Sequence, residues 1–133
     1  MSRVLICDND PVAAKALVHL LRMKGHFASV ASNAGEAMVL LETNKTDLLV
    51  LDENMPYVSG LEMLEMVQLN PNLRKCPVIF WSGHDEPMRR EQALRAGAKD
   101  YLIKCKDAWP EIWRRLESYL SAAAPTSETV RIR

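Results

Sequence analysis

Apolar residues along this chain fall into short unbroken runs separated by longer stretches with helical spacing. Val4-Leu5-Ile6-Cys7, Leu48-Leu49-Val50-Leu51, Val78-Ile79-Phe80-Trp81 and Tyr101-Leu102-Ile103 are apolar at every position. Such runs predict strands buried on both faces, as in a parallel sheet sandwiched by helices, rather than strands with one wet side. With a weaker run at 27–31, the predicted strands cover about 3–8, 27–31, 47–52, 77–82 and 99–104, with helices between and after them. The alternation makes five β-α units and an α/β fold.

Helix boundaries are marked by their chemistry. Asp10 is a candidate N-cap with Pro11 at the first helical position, Asn33 is followed by Glu36 at the third, and Ser59 with Glu62 makes a capping box. Gly25 and Gly97 sit where helices must end. Ala37, Leu40 and Leu41 give the second helix one apolar face, and Leu61, Leu64 and Val67 give one to the third. The last helix, roughly 109–123, carries Trp109, Ile112, Trp113, Leu116, Tyr119 and Leu120. That stripe is wider than one contact face needs, so it covers the sheet edge or leaves a ridge for a partner. The folded domain is expected to span 1–121. Residues 122–133 lack periodicity and read as a flexible tail or the stub of a linker.

Composition narrows the function. At 133 residues the chain is one ordinary domain. Lys plus Arg and Asp plus Glu are 17 each, so no net field draws it to nucleic acid or to an anionic membrane. Cys7, Cys76 and Cys105 form neither a CxxC pair nor a zinc spacing, and read as reduced thiols of a cytoplasmic protein. The chain enters its first strand by about Arg3, and no apolar stretch reaches the roughly 18 residues of a membrane span. Neither a signal peptide nor membrane insertion is expected.

The candidate chemistry sits at the ends of the apolar runs. The first run ends in Asp8-Asn9-Asp10, the third in Asp52-Glu53-Asn54-Met55-Pro56, the fourth in Ser82 and the fifth in Lys104. In an open parallel sheet the carboxyl ends of the strands line one crevice, where such folds bind ligands. Asp8 and Asp52 would repel each other there unless a cation or Lys104 lies among them. A hard divalent ion, Mg2+ by preference, suits carboxylates with a backbone carbonyl and waters. A carboxylate so placed can attack phosphorus, while Ser82 and Lys104 are suited to bind phosphoryl oxygens. A lone Asp at a strand end is most simply a loop cap; four complementary groups at four strand ends point to a site.

The segments VLICDNDP, DLLVLDENMP with a glycine at position 60, VIFWSGHD and AGAKDYLIK, in this order, resemble the receiver domains of two-component response regulators. The resemblance covers about residues 3–121. It implies a doubly wound, flavodoxin-like three-layer sandwich whose five-stranded parallel sheet has the order 2-1-3-4-5, and a phosphoryl group accepted from a sensor histidine kinase or a phosphotransfer protein. By resemblance Asp52 is the phosphoacceptor, Asp8 and Asp52 with the Asn54 carbonyl and Asn9 hold Mg2+, Ser82 is the switch hydroxyl, Lys104 contacts the phosphate, and Tyr101 is the switch aromatic. In that family the hydroxyl moves inward on phosphorylation, the aromatic follows, and the face of the fourth helix, fifth strand and fifth helix changes shape. An effector protein or a second copy of the chain is the expected partner on that face. The implied role is a signalling switch rather than an enzyme.

Two positions depart from the family pattern. Asn9 stands where the second of two adjacent acids is usual. Loss of one charge about 4 Å away removes on the order of 1 to 4 kcal/mol of attraction for a cation, so weaker metal affinity is expected. Asp10 is a possible substitute ligand, set against its role as a helix cap. Cys105 stands where a proline with a cis bond is usual, and a cis bond to a non-proline residue costs about 2.5 to 4 kcal/mol. Either the bond is trans and Lys104 is re-aimed, or strain is stored. A redox role for Cys105 has only Lys104 and Lys106 to support it. These departures motivate a rival reading, a pseudo-receiver that binds partners with little or no phosphorylation. A cofactor-binding flavodoxin-like protein is disfavoured because Asp8-Asn9-Asp10-Pro11 replaces the glycine loop that would cradle a phosphate.

Overall fold

The computed structural model describes residues 1–104 and 106–123. Five strands, β1 (Arg3–Cys7), β2 (Phe27–Ala31), β3 (Leu48–Leu51), β4 (Val78–Ser82) and β5 (Asp100–Ile103), alternate with five helices. These are α1 (Pro11–Met23), α2 (Ala34–Thr43), α3 (Gly60–Leu69), α4 (Pro87–Arg95) and α5 (Trp109–Ala123). The strands pair in parallel in the order β2-β1-β3-β4-β5, as the resemblance implied. Asp8, Asp52 and Lys104, read as strand-terminal, lie one residue beyond the strands they follow. α5 runs past the expected boundary at 121, and residues 124–133 of the proposed tail lie outside the described residues.

Alternate residues of each central strand face opposite layers. Val4, Ile6, Leu48, Val50, Ile79, Trp81 and Leu102 meet α1 and α5 through Leu17, Leu21, Ile112, Leu116 and Leu120. Leu5, Cys7, Leu49, Leu51, Phe80 and Tyr101 meet α2, α3 and α4 through Ala37, Leu41, Met63, Leu64, Val67 and Ala93. Burial on both faces is why the runs are continuously apolar. On α3 it is Met63 with Leu64 and Val67 that is fully buried, while Leu61, expected on the apolar face, is half-buried.

The predicted caps form. Asp10 accepts from the Val12 and Ala13 amides, Asn33 from that of Glu36, and Ser59 and Glu62 close a reciprocal capping box. Gly25 and Gly97 follow α1 and α4 at φ +89° and +117°, where a side chain is strained. The wide α5 stripe divides. Ile112, Leu116 and Leu120 are buried, Trp113 packs on His26 with Lys24 over its ring, and Trp109 stays 43% exposed beside Trp81. No helix among the described residues is long and apolar enough to cross a membrane.

Candidate functional site

The sheet sets β1 beside β3, with β5 beyond the intervening β4, and the residues just past the ends of these three strands converge. Lys104 Nζ lies 2.7 Å from Asp8 Oδ2 and 3.5 Å from Asp52 Oδ1. All three side chains are largely withdrawn from solvent, and the ammonium also lies 5.4 Å from the centre of the Trp81 ring. Asp8 Oδ1 accepts the Asp10 amide at 2.9 Å. Burial and the neighbouring Asp8 carboxylate push Asp52 up to about 6, against the opposing pull of Lys104 and the Asn54 amide. The thiol of Cys7, buried beneath, is pushed up to about 12 by burial and by Asp52 and Asp8, which keeps it protonated and unreactive.

The loop after β3 is held by its glycine. A Cβ on Gly60 would stand 2.5 Å from the Asp52 carbonyl oxygen and 3.0 Å from Glu53 Cα, and the Gly60 amide donates to the Glu53 carbonyl at 3.0 Å. Only glycine permits this approach, which fixes the backbone that presents Asp52. Within the same loop Tyr57, fully exposed, takes φ 71°.

The other predicted residues are placed as follows. Asn9 is exposed at the mouth of the crevice. The Oδ1 of Asp10 is occupied by the cap of α1, which favours its structural role over that of a substitute ligand. Asn54 donates its amide to Asp52 Oδ1 over a long 3.4 Å, and its side chain meets His84 Nε2 at 2.8 Å. Ser82 is fully buried, but its hydroxyl donates to Glu53 Oε1 at 2.8 Å and accepts the His84 amide at 3.0 Å. Tyr101 is 1% exposed, its hydroxyl 2.8 Å from the same Glu53 oxygen and 3.2 Å from the His84 carbonyl. Burial is the main reason its phenol is pushed up to about 12. Cys105, with its expected bond geometry and redox role, lies outside the described residues.

Reading the sequence missed Glu53 and His84. Glu53 looked like one more polar loop residue after a strand. The available signal was a second acid directly after Asp52, on the side of the sheet where β4 supplies Ser82 and β5, one strand further, supplies Tyr101.

The donor set suits a hard cation. Two carboxylates share one crevice, and the buried Asp8 Oδ2 accepts no well-aligned hydrogen bond despite its contact with Lys104.

The family model for the response regulator receiver domain matches residues 4–111. An uncharacterized 14.6 kDa protein from Leptolyngbya boryana is 35% identical over 92% of each chain. The two-component response regulator ARR12 of Arabidopsis thaliana is 35% identical over 84% of this chain, which spans 20% of that protein's length. Among solved structures, the receiver domain of Francisella response regulator 1452 superposes with a TM-score of 0.83 at 28% identity, covering 92% of this chain and 98% of the other. The receiver domain of the Pseudomonas aeruginosa sensor histidine kinase PA1611, described with magnesium coordinated in its active-site cleft, shares the fold at TM-score 0.80 and 23% identity, over 90% of this chain and 98% of its own.

Proposed function

The chain belongs to the response regulator receiver domain family, and from that premise we propose that it is a phosphoryl-accepting switch in which Asp52 takes the group from a histidine kinase or phosphotransfer protein. The observation that carries this reading is the convergence of Asp8, Asp52 and Lys104 within ion-pair distance at the carboxyl edge of the sheet. A carboxylate oxygen of Asp52 attacks phosphorus, the donor's P–N or P–O bond breaks, and its electron pair leaves with the donor. Lys104 shifts from the carboxylates to the added phosphoryl oxygens, whose charge it offsets. Asp8, Asp52, the Asn54 carbonyl and Asn9 would hold Mg2+ in the same crevice, and the ion when bound supplies positive charge against the phosphoryl oxygens.

The signal is read by protein contact. α4 and α5 cover opposite faces of β5, which carries Tyr101. Their outer sides, with exposed Met88 on α4, offer a surface to an effector or to a second copy. Exposed Trp109 instead lines the groove between α5 and α1 beside Trp81. A cytoplasmic setting and a signalling rather than enzymatic role accompany this reading.

A pseudo-receiver with little phosphorylation is the second reading, favoured by Asn9 and by the Ser82 proton already committed to Glu53. Acetyl phosphate with and without Mg2+, followed by intact mass, separates the two. A Mg2+-dependent gain of one phosphoryl group, absent from Asp52→Asn, supports the switch; no adduct from this donor or from a phosphorylated kinase domain supports the pseudo-receiver. Restoring the acid with Asn9→Asp should tighten Mg2+ at least several-fold by titration, and equal affinity would count against the metal site.

A further inference from the structure

Asp52 and Glu53 are adjacent in sequence but serve different places. Asp52 faces Lys104 in the crevice, whereas Glu53, 6% exposed, reaches between β4, β5 and α4. There one oxygen, Oε1, receives the Ser82 hydroxyl at 2.8 Å and the Tyr101 hydroxyl at 2.8 Å, with Arg89 Nη1 of α4 at 3.5 Å. A buried carboxylate requires such partners, and these come from three elements that the chain brings together only on folding. The single Tyr101 proton is also within reach of the His84 carbonyl at 3.2 Å, the longer of its two contacts.

We propose that Glu53 is a positioning residue of the switch: its carboxylate holds Ser82 and Tyr101 in the inward arrangement before any phosphorylation, and a phosphoryl group on Asp52 must take the Ser82 hydroxyl from it. The competition follows from the inventory of donors. A serine hydroxyl has one proton, and Glu53 Oε1 has it in the resting chain. A phosphoryl group next to Asp52 can bind Ser82 only by breaking that bond, while the single Tyr101 proton stays with Glu53, its shorter contact, or is shared with the His84 carbonyl. The inward position of Tyr101 is therefore a property of the resting protein, and the step that phosphorylation changes is the ownership of Ser82. The competitive half of this account rests on the reading of Asp52 as phosphoacceptor; the hold on Tyr101 does not.

Two readouts on Glu53→Ala and Glu53→Gln test it, with folding checked by circular dichroism. The first is nitration by tetranitromethane in buffer without phosphodonor or metal, each tyrosine being followed by peptide mass. Fully exposed Tyr57 is the internal reference. In the parent Tyr101 is protected, in Glu53→Ala its labelling rises several-fold, and in Glu53→Gln, whose amide oxygen still accepts both hydroxyls, protection is largely retained. Equal protection of Tyr101 in parent and Glu53→Ala overturns the proposal. The second is binding of beryllofluoride, a phosphoryl mimic, with Mg2+ by fluorine NMR. Glu53→Gln holds Ser82 less tightly and removes a nearby negative charge, so it should bind on the order of fivefold tighter than the parent, and much of this gain should vanish in the Ser82→Ala background. No gain, or the same gain without Ser82, overturns the competition. Absence of beryllofluoride binding in every variant refutes the Asp52 reading instead, and the nitration result then decides the role of Glu53 by itself.

Discussion

Asp52 has a carboxyl pushed up to about 6 by burial and by Asp8, and the sign of that shift determines how it affects stability. A folded-state pKa above the ordinary carboxylate value means that the native protein binds the proton more tightly than the unfolded chain. Asp52 therefore stabilises the fold below about pH 4, and that contribution is lost as pH rises through about 6. In metal-free buffer Asp52→Asn is expected to gain about 2 kcal/mol over the parent at pH 7.5 and little at pH 4, measured by urea unfolding at both. A gain independent of pH would mean that ionisation of a buried carboxyl beside Asp8 is not its cause. Lys104 provides the converse test. It is the cation within reach of both carboxylates, so Lys104→Met leaves two like charges together and should cost about 3 kcal/mol at pH 7.5. That loss should shrink on acidification as the carboxylates take up protons, read from the same unfolding curves.

Elements place these residues, and their boundaries were legible because caps and breakers act over a single helical turn. Asp10, Asn33, Ser59, Gly25 and Gly97 perform locally the roles their types predict. Side-chain partners across elements were less legible. Spacing on α3 did not distinguish Leu61 from Met63, because the buried arc depends on how the helix rolls against β3 and β4. Position 60 belongs to this scale, since the start of α3 packs on the backbone that presents Asp52. Gly60→Ala places a methyl 2.5 Å from the Asp52 carbonyl oxygen. It should cost about 2 to 3 kcal/mol by thermal unfolding and lower Asp52 labelling by acetyl phosphate at least tenfold. Loss of stability with labelling intact would show that the loop moves without disturbing the acceptor.

For the molecule as a whole, two apolar layers enclose one sheet, and α5 closes the layer it shares with α1. Leu116, with no exposed surface, packs in that layer against strands that also carry the site. Leu116→Ala should cost about 3 kcal/mol while leaving one cooperative transition, seen by coincident fluorescence and circular dichroism curves. Separate transitions would make α5 an independent unit. The equal numbers of acidic and basic residues describe the whole surface and do not reveal a local concentration of charge. Asp8, Asp52 and Lys104 gather at one edge of the sheet, while Asp100 is held by Arg115 and approached by Arg90 at another.

The sequence by itself determined the strand runs, the helix caps and the alignment of Asp8, Asp52, Ser82 and Lys104 at strand ends. Each depends on contiguous residues or on a short period, and parallel strands carry their ends to one edge. Tertiary structure alone decided which of those groups meet. It paired Lys104 with Asp8 and Asp52 but gave the Ser82 proton to Glu53, and it buried Tyr101 against that same carboxylate. The hydroxyl partners of Glu53 lie 29 and 48 positions away, and no local periodicity encodes a hydrogen bond between groups that become neighbours only when β3, β4 and β5 assemble.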